Sequence, residues 1–274
     1  MKPFLKWAGN KYAIISRIQS VLPPEGRLIE PFAGSAAVFL NTNYQSALLS
    51  DINPHLIELY RYLKKDGNQF IGYCSTFFVP ETNNPETYYQ FREIFNSTGD
   101  MRLKSALFLY FNRHGYNGLC RYNAKGEFNV PFGRYTKPYF PREEMADFHL
   151  KIQSAELACQ DFTTSMKTAR PGDVIYCDPP YVPLTATANF TGYSRGGFGP
   201  EEQQQLADLA GTLAKKGVTV VISNHDTIFT QNAYSSARII SFQVRRYISC
   251  KGDARGQANE MLALFGTDGE SMVG

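Results

Sequence analysis

Asp178-Pro179-Pro180-Tyr181 follows directly on the apolar run Val174-Ile175-Tyr176-Cys177, which places an acid, two stiff residues and an aromatic ring at a predicted strand end. Proline fixes φ and removes a backbone donor, so two in succession hold the Pro179 carbonyl in a defined direction beside the Asp178 carboxylate. Two acceptors then converge on one NH2 group. The Tyr181 ring offers a flat face on which a base stacks, a contact worth about 1–3 kcal/mol. These residue types describe a pocket for a planar amine; a Pro-Pro turn with a capping acid is the competing structural reading.

A second group lies near the N-terminus. Pro31-Phe32-Ala33-Gly34-Ser35 sits where a short strand turns into a helix, the place at which open α/β sheets bind ligands. Asp51 ends the next predicted strand, where a carboxylate can accept from both ribose hydroxyls of a nucleoside or simply cap a turn. Trp7-Ala8-Gly9-Asn10-Lys11 offers a ring and an amine that can close over a nucleoside carrying a carboxylate, or pack as a tail. Neither G-x-G-x-x-G nor a phosphate-binding G-x-x-x-x-G-K-[ST] occurs, which disfavours a dinucleotide or a nucleoside triphosphate. Ser223, His225 and Asp226 lie together on one strand end without a nucleophile elbow, so a hydrolase is set aside. Strand alternation turns Cys177 away from the face that Asp178 uses and makes it a core residue.

The elements that position these groups are legible from spacing. Ile15, Ile18 and Leu22 predict a helix that Pro23-Pro24 stops; Arg27 to Phe32 and Ala47 to Asp51 predict strands. Asn53 caps a helix with Pro54 at its first position, and Asn84-Pro85 repeats the signal inside a helical stretch over 68–112. The α/β pattern resumes with strands over 156–159, 173–177 and 218–222, a helix over 200–216, and closing strands over 238–249 and 259–265.

The 274 residues fit one large domain or a domain with an inserted lobe, and 43% apolar residues suffice for a substantial core. A net charge of +3 is too small to argue nucleic acid from the total. Distribution argues it instead: from Arg113 to Arg142 six Lys and Arg stand against one acid, interleaved with Tyr116, Tyr122, Phe128, Phe132, Tyr135, Tyr139 and Phe140. A basic, aromatic, loop-rich segment suits nucleic acid, and a surface hairpin with solvated charges is the alternative. Five cysteines without C-x-x-C suggest neither a disulfide framework nor a zinc site, and no metal is expected. With no signal peptide or membrane span predicted, a reducing cytoplasm is the expected setting.

Together the pieces resemble the DNA adenine-N6 methyltransferases of the Dam type, in the order cofactor motif, recognition region, catalytic motif. The resemblance covers nearly the whole chain and rests on Phe4 to Gly9 with Lys11, Glu30-Pro31-Phe32, Asp51-Ile52-Asn53, Tyr88 to Arg92, Asn117 to Asn123, Phe128 to Tyr135 and Ser223 to Asp226. It implies a Rossmann-like α/β sheet with an inserted helical and loop recognition lobe, the catalytic domain being 1–54 with 145–274 and the lobe 55–144. It further implies S-adenosylmethionine as methyl donor, contacting Trp7, Lys11, Asp51 and Asp178 with Phe32 and Gly34 shaping the pocket, and Asp178, Pro179 and Tyr181 as the catalytic group. The implied partner is double-stranded DNA at GATC. Lys6 would lie near the first guanine, Leu119 and Pro131 against the thymine methyl, and Arg121 on the guanine opposite the last cytosine. Tyr116 would wedge beside the flipped base, with Arg92, Asn117, Asn123, Arg134 and Tyr135 supporting the DNA. The enzyme would then be cytoplasmic and associated with the nucleoid through its DNA. The same fold could serve cytosine N4 or an RNA base, or a DNA-binding regulator that has lost catalysis. Two departures stand out: Ala36 replaces the family's second glycine and could crowd the cofactor turn, and Gly252 to Gln257 is poor in lysine.

Overall fold

The structure is a computed structural model that describes residues 1–182, 198–245 and 257–266. Its centre is a seven-stranded sheet in the order β3-β2-β1-β4-β5-β7-β6. The strands are β1 (Arg27–Glu30), β2 (Ser46–Asp51), β3 (Ala155–Cys159), β4 (Val174–Cys177), β5 (Thr219–His225), β6 (Arg238–Arg245) and β7 (Gln257–Phe265). The first five run parallel, while β7 lies antiparallel between β5 and β6. The last two closing strands therefore form a pair in which the later one takes the inner place. The predicted strand over 238–249 ends at Arg245 among the described residues, and both Arg246 and the lysine-poor segment 252–256 lie outside them.

Period-two alternation splits the sheet residues between two cores. Leu28, Val174 and Tyr176 face one side, and Ile29, Ile175 and Cys177 face the other. The second side is covered by α7 (Phe162–Met166) and α8 (Pro200–Ala214), with Leu206, Ala207, Ala210 and Leu213 packed inward. Cys177 is buried there, as alternation requires.

On the first side, α1 (Ile15–Gln19) and α2 (Ala37–Leu40) flank the sheet, and a helical block follows β2: α3 (Pro54–Ser75), α4 (Pro85–Ser97), α5 (Met101–His114) and α6 (Arg142–Lys151). The caps fall where the sequence puts them. The Asn53 side chain accepts from the His55 and Leu56 amides, and that of Asn84 from Thr87 at 2.9 Å. α5 is buried on nearly every face: Phe111 alone packs against the rings of Tyr88, Phe95, Tyr110 and Phe128 at 4.9 to 5.5 Å between centroids. One apolar core runs unbroken from Phe4, Leu28 and Leu49 at the sheet through Tyr60 and Phe108 to Phe128 in the loop region beyond. A last short helix, α9 (Ile228–Ala233), follows β5.

Candidate active site

The chain leaves β1 for β2 on one side and later returns to β4 on the other, so the carboxyl ends of β1 and β4 bound the crevice at which the strand order reverses. The two groups singled out in the sequence meet there. Asp178 follows β4, and Lys11, from a short 3₁₀ turn at Lys11–Ile14, places its ammonium 2.7 Å from Asp178 Oδ1 and 4.6 Å from the Tyr181 ring centroid. The Lys11 side chain is 7% exposed and that of Asp178 22%. Burial pushes the Asp178 carboxyl up from its ordinary range, and the Lys11 ammonium and the Ser223 hydroxyl pull it back.

The loop after β4 is held from β5 and α8. Ser223 Oγ lies 3.1 Å from Asp178 Oδ1, Asn224 Oδ1 accepts from the Val182 amide at 3.2 Å, and Gln203 donates to the Pro180 carbonyl at 2.8 Å. Asn224, Gln203 and Tyr234 close a buried network on one another at 2.8 to 3.1 Å. His225 Nδ1 pairs with the Val182 carbonyl at 2.7 Å, and its ring meets that of Tyr181 edge to face. Among the described residues nothing hydrogen-bonds the Pro179 carbonyl. The sequence assigns Ser223 to His225 no role beside Asp178; their polar types at the end of an otherwise apolar strand are the available signal.

The turn after β1 forms the other wall. Gly34 has φ +45°, and a Cβ there would meet Trp7 Nε1 at 2.7 Å, so the indole lies directly on the glycine. The Gly34 amide donates to Asp51 Oδ2 at 3.1 Å and the Asn53 amide to Oδ1 at 2.9 Å, while Tyr60 donates its hydroxyl to the Gly34 carbonyl. Each Asp51 oxygen thus already takes a backbone donor, and the Ile52 amide also favours the carboxylate. Burial raises the Asp51 carboxyl and these amides oppose it. Phe32 is half-buried on the rings of Phe162 and Phe198. A glycine turn under an indole, a carboxylate one strand over and a buried ammonium fit a nucleoside that carries an amino-acid carboxylate. Glu30, to which the sequence assigns no role of its own, is buried at the end of β1, where it accepts from the Phe39 amide. Burial is the main reason its carboxyl is pushed up to about 8, and the nearby Asp178 charge adds to it.

Ala36 stands where the turn into α2 takes a left-handed residue. It is fully buried and adopts φ 54°, ψ 34° as the residue before α2, a left-handed conformation that costs alanine roughly 1 kcal/mol relative to glycine. Ala36→Gly should therefore raise stability by about 0.5–1 kcal/mol, read as a small rise in thermal midpoint, because the native φ favours glycine by more than the unfolded chain does.

The basic segment forms a hairpin lying on α4 and α5, bridged at Gly115 with Phe132 and at Tyr122 with Phe128. Its inner face is Phe128 and Val130; Asn96 pairs with both backbone polar groups of Phe128, and Tyr88 and Arg92 donate to the Val130 carbonyl. Arg92 therefore props the hairpin from below. Outside stand Tyr116 (52% exposed), Pro131 and Arg121, whose guanidinium is aimed by Asn129 at 2.8 Å. Leu119 is half-buried at its base. Asn123 spends its amide within the turn on Lys125, Glu127 and the Glu127 side chain. Asn117 and Arg134 take left-handed φ of 53° and 55°, and the Asn117 amide donates to the Tyr135 hydroxyl. Lys6 lies with its ammonium 4.3 Å from the Tyr135 ring centroid, its backbone clasped by Asn112, so the N-terminal segment joins hairpin and crevice. One cation counted in the basic segment is not on its surface. Arg113 is buried and donates to the Phe4 carbonyl, since its position on the inward face of α5 outweighs its charge.

A largely parallel sheet of this order, with an antiparallel strand inserted beside β5 and an Asp-Pro-Pro-Tyr segment at the point of strand reversal, is that of a Rossmann-like methyltransferase. The chain belongs to the D12 class N6 adenine-specific DNA methyltransferases, whose family model matches residues 7–248. It is 49% identical over 264 residues to the DNA adenine methylase of Escherichia coli (strain K12), covering 96% of this chain and 95% of that one. It is 48% identical over 265 residues to the DNA adenine methylases of Vibrio cholerae serotype O1 and Serratia marcescens, covering 96% of this chain and 96% and 98% of theirs. Methyltransferases of this family draw on S-adenosylmethionine in general as methyl donor.

Proposed function

We propose that this enzyme methylates adenine N6 at GATC in double-stranded DNA after flipping the base into the crevice. The observation that carries this reading is the meeting of Asp178, Lys11 and Tyr181 beside the Gly34 and Asp51 turn, in a chain of this family. S-adenosylmethionine, when bound against Trp7, Lys11, Phe32, Gly34 and Asp51, supplies an electrophilic methyl on a sulfonium. An adenine amine is a weak nucleophile because its lone pair is delocalised into the ring. Hydrogen bonds from N6 to the Asp178 carboxylate and the Pro179 carbonyl localise that pair and fix its direction, and Tyr181 holds the ring by stacking. Flipping costs a few kcal/mol, which the stack and the pocket offset.

In this reading residues 55–144 are the target-recognition domain, and 1–54 with 145–274 the catalytic one. Lys6, Leu119, Arg121 and Pro131 read bases, Tyr116 fills the gap left by the flipped base, and Arg92, Asn117, Asn123, Arg134 and Tyr135 shape the surface that meets DNA. Labelled methyl from the donor should enter a GATC duplex and not one carrying N6-methyladenine at both sites; equal labelling of the two would refute adenine N6 as the acceptor. Arg121→Ala should cost about 1–3 kcal/mol in discrimination at the contacted guanine. Competition between GATC duplexes and duplexes altered at that base pair measures it, and unchanged discrimination would remove Arg121 from base reading.

A further inference from the structure

The end of β5 presents Ser223 to the site from within the core, where it is fully buried. Its hydroxyl has one proton and lies at 3.0 Å from the Tyr176 hydroxyl, 3.3 Å from the Cys177 carbonyl and 3.1 Å from Asp178 Oδ1, with the Tyr181 phenol also beside it. Burial, with the Asp178 charge next, raises the Tyr176 phenol, so it keeps its proton and serves as donor to Ser223. The serine proton is thereby turned toward Cys177 and Asp178. Oδ1 of Asp178 then takes both the Lys11 ammonium at 2.7 Å and the Ser223 hydroxyl, whereas no described residue hydrogen-bonds Oδ2. The two oxygens of one carboxylate are made unequal by their surroundings.

We propose that Ser223, oriented by Tyr176, is a positioning residue that fixes the Asp178 carboxylate with Oδ2 turned to the target amine. This rests on the proposed capture of adenine at Asp178. A carboxylate free to rotate about its last bond spreads its acceptor directions, while one clamped at Oδ1 by two donors presents the other oxygen along one line, which is where proximity gains are made. The groups facing Asp178 are Lys11 from the N-terminal turn, Glu30 at the end of β1, Tyr176 before it on β4, Ser223 on β5, and Tyr181 with Glu260 behind it. Of the two that bond Oδ1, Lys11 and Ser223, the serine is neutral, so its loss changes no charge.

Full-length Ser223→Ala should lower kcat about tenfold on a GATC duplex, with KM for DNA and for S-adenosylmethionine within about twofold of wild type. Because the lost hydrogen bond favours the ionised carboxylate, the acidic limb of the pH–rate profile should move to higher pH. A duplex with 2-aminopurine at the target position, whose amine is not at C6, should be captured with unchanged fluorescence gain. Tyr176→Phe keeps the ring and should shift kcat and the acidic limb in the same direction by less; it decides the matter where Ser223→Ala does not fold. The proposal is overturned if kcat stays at the wild-type value, or if kcat falls while the acidic limb stays put. Failure of the wild-type enzyme to methylate GATC would instead count against the proposed function, since the variants are read relative to it.

Discussion

Asp178→Ala should lower the rate of methyl transfer by roughly 10³-fold or more while the enzyme still binds duplex DNA. In the proposed mechanism the acceptor that localises the amine's lone pair and the line along which it points vanish together. On the proposed reading DNA affinity should hold because the exposed cations and aromatics of the hairpin, which would meet the DNA, lie apart from Asp178. The substitution also strands Lys11. Removing one member of a fully buried ion pair costs about 3–5 kcal/mol, and the cost here is smaller because 22% of the Asp178 side chain is open to solvent. Asp178→Asn, which keeps the shape and one oxygen, is the necessary companion. Single-turnover transfer of labelled methyl, paired with a mobility-shift titration of the same GATC duplex, separates chemistry from binding. Near-normal turnover by either variant would sink the assignment of Asp178.

Phe111→Ala should be the most damaging substitution away from the site, with a stability loss of about 3–5 kcal/mol. The side chain is fully buried among four aromatic rings, and its stacked partner Phe128 is the inner anchor of the hairpin. For a chain of 274 residues the loss corresponds to a fall of about 5–9 °C in thermal midpoint. Ile228→Ala, at an 80% exposed position on α9, should stay within about 0.5 kcal/mol of wild type and serves as the control. A denaturation curve in which both variants match wild type would show that the hairpin is not anchored through Phe111.

Local chemistry made much of this legible before any coordinates. Asn53-Pro54 and Asn84-Pro85 announce helix starts because the cap and the fixed φ act within four residues. Asp178 could be placed at a strand end because the apolar run before it is uninterrupted. What stayed hidden depends on partners far along the chain. Ser223 meets Asp178 across 45 positions, and Asn112 clasps Lys6 across 106. The inner place of β7 follows from how a late strand pair docks on β5, which no periodicity records. At Ala36 the sequence shows a methyl group that could crowd the cofactor turn but not the left-handed φ that the alanine adopts, a property residue type alone does not reveal. Arg113 was counted with the DNA-facing cations because sequence gives charge and not burial.

The apolar core that passes from the sheet through Tyr60 and Phe108 to Phe128 has a practical consequence for anyone wishing to redirect the enzyme to another sequence. The lobe is not a cassette. Exchanging residues 55–144 wholesale for those of a relative would cut through packed rings and leave Phe4, Leu28 and Leu49 against foreign neighbours. On the proposed reading, retargeting is better attempted on the outward side chains alone, at Arg121 and Pro131, where a change would alter what is read without loosening what holds the reader in place.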